Sequence, residues 1–217
     1  VGVWHVKITG GEPLVRAEVD RLIRMLRQVE AIQELSLTTN GSLLAGQAER
    51  LRRAGLDRVT ISLDTLRPER FRQITRTGRL EQVLQGMEAA AQAGLEPLKI
   101  NCVAMRGVND DELAELASLT IMQDLTVRFI EYMPIGDTSL SGDAHRLFIS
   151  EAEIRRRLAS LGELVPAEGH TNPGPARLWQ LRGAKGRPSR IVKTFTSKPA
   201  ELEELNWSLF RRYGLIQ

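Results

Sequence analysis

Cysteine is almost missing: the 217 residues hold one, Cys102. A single thiol excludes an internal disulfide framework and any metal site built from several cysteines of this chain, and it suits a reducing, cytoplasmic setting. Cys102 stands in an apolar stretch and reads as a small buried hydrophobe. Long apolar runs are missing too. No stretch approaches the roughly 18 consecutive apolar residues of a membrane-crossing helix, so no membrane partner is expected. Excess charge is small, +3 from 30 basic and 27 acidic residues. Arg155-Arg156-Arg157 reads as a solvated helix face. No basic patch is interleaved with aromatics, so nucleic acid is not an expected partner, whereas a small anionic substrate is compatible. The chain opens on Val1-Gly2-Val3-Trp4, with neither an initiating Met nor a signal peptide. It starts almost inside a strand, so native structure is expected to precede it.

What is present is ordinary for a globular protein, 42% hydrophobic and 26% charged. The length suffices for one domain with a sizeable core, with or without a small appendage. Residues 3–8 read as a strand rich in β-branched residues. Gly10-Gly11 then permits a tight turn that a ligand can approach, Glu12 is its one carboxylate, and Pro13 suits a first helical turn. A helix from Pro13 is expected, with Val15, Val19, Leu22, Ile23, Leu26 and Val29 at helical spacing. Taken alone, Gly-Gly-Glu-Pro is equally a plain strand-to-helix turn.

The alternation continues. Strands are expected at 34–39, 58–63, 98–104 and 126–131. Helices are expected from about Ser42 to Ala54 with Gly55 as C-cap, from Pro68 to about Thr75, from about Leu80 to Ala93, and after an N-cap group at Asn109-Asp110-Asp111-Glu112. Five strand–helix units argue for a parallel sheet or barrel. Lys7, Ser36, Thr60, Ser62, Lys99, Asn101 and Arg128 lie within strands, which a closed, packed barrel tolerates poorly and an open barrel with a wet interior accommodates. Ligands of such folds collect at the carboxyl ends of the strands. Beyond Pro134, residues 135–147 read as loop and Ser150 caps a helix through Leu161 with Glu153 completing a capping box. After a loop at 169–175, residues 176–181 and 190–195 read as strands and 200–213 as a helix. The expected fold class is thus α/β, a partial (β/α) barrel of parallel strands over residues 1–140 with a small C-terminal extension over 141–217.

Thr9-Gly10-Gly11-Glu12-Pro13, Thr38-Thr39-Asn40-Gly41, Ser62-Leu63-Asp64, Lys99-Ile100-Asn101 and Arg128 to Pro134 fall in order on five consecutive strand ends. Together they closely resemble the radical S-adenosylmethionine (SAM) enzymes. Within these, the match is to the GTP 3′,8-cyclase family of molybdenum-cofactor biosynthesis, over about residues 1–182, including Gly107 to Glu112 and Gly174 to Arg177. The resemblance implies a lyase that cleaves SAM reductively at a [4Fe–4S] cluster, so that the resulting radical abstracts hydrogen from the ribose of GTP and a ribose carbon joins C8 of guanine. It implies SAM contacts at Gly11, Glu12, Ser62 and Met133, and GTP contacts at Lys7, Thr38, Lys99 and Arg128. A triphosphate needs cations, which Lys7, Lys99 and Arg128 would supply. No catalytic residue is identified, and a homodimer is left open. The family's cluster-ligating cysteines are expected upstream of Val1 and in the C-terminal part. Here residues from about 187 to 217 diverge and hold none, so no metal ligand is assigned, and the chain is expected to be a truncated form lacking turnover. Two alternatives stand beside it: a non-catalytic remnant that binds SAM or a nucleotide, and another radical SAM enzyme acting on a peptide.

Overall fold

The computed structural model describes residues 2–133, 144–167, 176–182 and 189–195. The readings of loops at 135–143 and 169–175 and of a helix at 200–213 lie outside these residues.

Five strands alternate with helices: β1 (His5–Ile8), α1 (Val19–Arg27), β2 (Glu34–Thr39), α2 (Ala48–Arg53), β3 (Arg58–Ser62), α3 (Pro68–Thr75), α4 (Leu80–Gln92), β4 (Leu98–Ala104), α5 (Leu113–Met122) and β5 (Leu125–Glu131). They are followed by α6 (Ala144–Leu147), α7 (Glu151–Leu158), β6 (Glu163–Pro166), β7 (Ala176–Arg182) and β8 (Ser189–Phe195). All the strands join one sheet in the order β1-β2-β3-β4-β5-β8-β7-β6. The first five are parallel and sequential, as expected from the alternation. β8 adds in parallel to β5, and the β6–β7–β8 meander closes the far end antiparallel. β1 is an edge strand.

Period-two alternation explains the layering. On one face Leu35, Leu37, Val59, Ile61, Ile100, Cys102, Val127 and Phe129 are fully covered, and they form one core with Val19 and Ile23 of α1, Val83 and Ala90 of α4, and Leu113 and Leu116 of α5. The other face lacks this helical cover and is the concave side of a partial barrel. The turn after β2 comes close to α4. Gly41 has φ +80°, and a Cβ there would lie 3.0 Å from Val83 Cγ1. A Cβ on Gly86 in α4 would lie 2.6 Å from the Gly41 carbonyl, so the helix can reach the strand end only without side chains at both positions.

Several boundaries differ from the sequence expectation. The helix expected from Pro13 is a single 3₁₀ turn, Pro13–Val15, after which the chain leaves helical geometry. Glu18 is left-handed at φ +56°, and α1 starts only at Val19. Val15 therefore points outward at 71% exposure, while Pro13 and Leu14 of the same turn are buried and Glu12 accepts from Leu14 N. The helix expected from Ser42 is shortened to Ala48–Arg53, since Asn40 Oδ1 accepts from Ser42 N (2.9 Å) and from the Ser42 hydroxyl (2.7 Å), a local turn that competes with helix. Residues 144–147 are helical rather than loop. Ser150 caps α7 by accepting from Glu153 N, but α7 ends at Leu158 and continues as a 3₁₀ turn through Leu161. β6 has only four residues, too few for a strand pattern to stand out in the sequence.

Candidate functional site

The parallel register lines up the polar strand residues on the concave face. One row joins Lys7, Ser36 and Arg58; the next joins Thr38, Thr60, Lys99 and Thr126; a third joins Ser62, Asn101 and Arg128. The expected GTP-contacting residues Lys7, Thr38, Lys99 and Arg128 thus share one face in ascending rows. β1 and β5 stand four strand spacings apart, roughly 19 Å in a flat sheet at about 4.8 Å each. The Arg128 guanidinium nevertheless helps lower the Lys7 pKa across the sheet. Burial is the larger influence on Lys7, although it keeps solvent contact at the sheet edge, and Arg58 adds to the repulsion. Arg128 is half-buried and shifts downward for the same reasons, burial first and Arg58 second. Arg58 is itself ion-paired with Glu34. The Thr38 hydroxyl and the Asn101 amide oxygen, both on this face, are buried without a hydrogen-bond partner. A buried polar atom left unmatched is a ready contact for a polar ligand.

At the carboxyl ends of the strands, Gly10 has φ +148°, a conformation that L side chains rarely adopt, and a Cβ on Gly10 or Gly11 would meet no atom within 4 Å. The backbone here borders open space. Glu12 anchors the turn. Its Oε1 accepts from Leu14 N (3.0 Å) and the Thr39 hydroxyl (2.7 Å), and its Oε2 from Asn40 N (2.7 Å). A carboxylate offers about four acceptor sites, which leaves one for an incoming cation. Ser62 and Met133 are exposed at the ends of β3 and β5.

Other residues of the motifs are occupied inside the fold. Burial raises the Asp64 pKa, and its Oδ1 accepts from Val103 N at 2.8 Å, stitching β3 to β4. The expected N-cap group before α5 does different work. Fully buried Asn109 donates to the Asp64 and Val103 carbonyls and accepts from Met105 N at 2.8 Å. Glu112, also fully buried, accepts from the Thr65 hydroxyl (2.7 Å) and Leu66 N (2.8 Å) and pairs with Arg70 and Arg67. Neither side chain caps α5. Glu131 is buried and accepts from Glu151 N at 2.7 Å at the start of α7.

An iron–sulfur cluster does not fit the residues present. Cys102 is wholly buried on the helix-facing side of β4, and burial pushes its thiol well above the usual range, so it is no thiolate ligand. Among the described residues, no cluster of three His, Cys, Asp or Glu side chains is placed to hold a metal ion. Among them, too, no helix is long and apolar enough to cross a membrane. Arg58 and Glu34 join the concave face although the sequence expectation gives them no role; each opens a strand with the same parity as Lys7 and Lys99.

GTP 3′,8-cyclases resemble the chain over most of its length. That of Petrotoga mobilis is 46% identical over 186 residues, which is 86% of this chain and 57% of the relative. That of Heliobacterium modesticaldum is 47% identical over 188 residues, 85% of this chain and 56% of the relative. The chain therefore spans a little over half the length of the curated relatives it matches. In fold it is similar to a domain of pyruvate-formate lyase-activating enzyme from Bacteroides vulgatus, with TM-score 0.57 at 16% identity over 73% of this chain and 92% of that one. It is also similar to coproporphyrinogen III oxidase from Escherichia coli, described as a radical SAM enzyme, with TM-score 0.53 at 13% identity over 88% of this chain and 59% of that one. The family model of the radical SAM superfamily matches residues 1–120, more than half of the sequence, and with the parallel partial barrel this means that the chain belongs to the radical SAM superfamily.

Proposed function

We propose that this chain is the barrel portion of a GTP 3′,8-cyclase of molybdenum-cofactor biosynthesis. Its concave face holds the GTP triphosphate with Lys7, Thr38, Lys99 and Arg128, and its strand ends hold SAM with Gly11, Glu12, Ser62 and Met133. The concave face carries this assignment. Cations from β1, β4 and β5 gather on one side of the sheet with two unmatched buried polar atoms, the chemistry a polyphosphate requires. The relatives named GTP 3′,8-cyclase support it from the sequence side. At the rim, the side-chain-free Gly10-Gly11 turn leaves room for SAM, and the remaining acceptor site of Glu12 suits its ammonium. With its cluster bound, a radical SAM enzyme draws its oxidising power from reductive cleavage of SAM. The residues of this chain contribute binding and orientation, because its one cysteine is buried and no metal-holding group is found among the described residues. For the chain by itself, that favours binding without turnover.

Calorimetry with GTP at low and high ionic strength tests the assignment. Binding is expected at low salt, weaker at high salt as the cations are screened, and weaker again in Lys99→Ala. No binding at low salt, or binding indifferent to Lys99→Ala, overturns it.

A further inference from the structure

We propose that the Glu34–Arg58 ion pair sets the strength of anion binding in the barrel, with Arg58 contributing charge to the polyphosphate site and Glu34 restraining it. This rests on the reading that the concave face holds a phosphate chain. Both residues open their strands, Glu34 on β2 and Arg58 on β3, on the same face as Lys7 and Lys99. Arg58 shares a register row with Lys7 through Ser36, and Thr60, two residues further along β3, is the register neighbour of Lys99. Arg58 thus lies level with Lys7, one row before Lys99 and two rows before Arg128. Its side chain and that of Glu34 are 27% and 25% exposed, so neither is strongly screened by water. Within β1–β5, Glu34 is the sole carboxylate at a concave-face position. The Coulombic reach of Arg58 to both Lys7 and Arg128 agrees with this placement.

A guanidinium has five donors in a planar fork and can engage a carboxylate and a phosphate together, or pass from one to the other. An arriving polyphosphate therefore competes with Glu34 for Arg58, and the pair acts as a counterweight. Removing Arg58 weakens anion binding, whereas removing the charge of Glu34 strengthens it. A pair that merely held β2 to β3 would give losses in both cases.

The test uses the full chain and inorganic triphosphate, titrated by calorimetry at fixed low ionic strength. Arg58→Gln is expected to bind about tenfold more weakly, the size of one charge-assisted hydrogen bond, Arg58→Lys to recover part of the loss, and Glu34→Gln to bind several-fold more tightly. The double variant is expected to bind like Arg58→Gln, because Glu34 acts through Arg58. Glu34→Gln keeps the side-chain shape, so it reports even if Arg58→Gln folds poorly. Weaker binding in both single variants, or no change in either, overturns the inference and leaves the GTP assignment standing. Failure of the unmodified chain to bind either triphosphate or GTP overturns both.

Discussion

On the helix-facing side of β2, β4 and β5, Leu35, Leu37, Leu98, Ile100, Cys102, Leu125, Val127 and Phe129 are apolar and covered, whereas on the concave side the same strands carry Thr38, Lys99, Asn101 and Arg128. The covered side admits charge only where every partner is present. Glu112 is wholly buried yet meets two arginines, a hydroxyl and a backbone amide. The concave side keeps polar atoms unmatched at Thr38 and Asn101 and gathers like charges at Lys7, Arg58 and Arg128. One face is built for stability, and the other holds free energy in reserve for a ligand.

Four experiments sharpen or break that contrast. The largest effect is expected from Phe129→Ala, which empties a fully buried site and should destabilise the chain by about 4 kcal/mol in urea unfolding. A loss as small as that of Lys99→Ala would dissolve the distinction between the faces. Glu112→Ala comes next. Stranding its partners should cost about 3 kcal/mol, read from the same unfolding midpoint. Thr38→Val should act in the opposite direction, stabilising by about 1 kcal/mol because it removes an unmatched buried hydroxyl, while weakening GTP binding.

The smallest effect concerns pH. Arg106, followed by Arg157, lowers the Glu153 pKa from its ordinary 4.5 to about 2. A carboxylate depressed in the folded state stabilises above its unfolded pKa and loses that contribution as pH falls from about 4.5 toward 2. The stability gap between the unmodified chain and Glu153→Gln should therefore shrink between pH 5 and pH 3. The Arg106 side chain is 45% exposed and screened by water, so the change should be smaller than any of the others. A gap that holds constant across that range would remove Glu153 from the acid response.

The strands were legible because alternation is a local signal: Leu35, Leu37 and Thr39 against Glu34, Ser36 and Thr38 announce two faces within six residues. The polar side of that alternation also exposed Lys7, Lys99 and Arg128. The helix starts were less legible, because tertiary bonds override local preference there. Glu12 looks like an acid beside a glycine turn, yet it reaches across to Thr39 and Asn40, 27 and 28 residues on. Asn109 and Glu112 have the composition of a helix cap and are instead spent on Asp64, Thr65 and Leu66. The parallel pairing of β8 with β5 joins residues more than sixty positions apart and leaves no trace in either segment alone. The Glu34–Arg58 pair was hidden for a similar reason, since its signal lies in matched strand parity and not in spacing.

The register that aligns the concave rows also constrains how such a gene can change. A one-residue insertion within β4 would turn Lys99 and Asn101 toward the helices and Ile100 and Cys102 into the barrel, exchanging the two faces at once. Substitution at Lys99 or Thr38 alters one contact with a ligand and leaves the packed layer intact. The lengths of the strands are therefore closed to gradual variation, while the concave residues remain open to it, and a new substrate can be explored one codon at a time without refolding the scaffold.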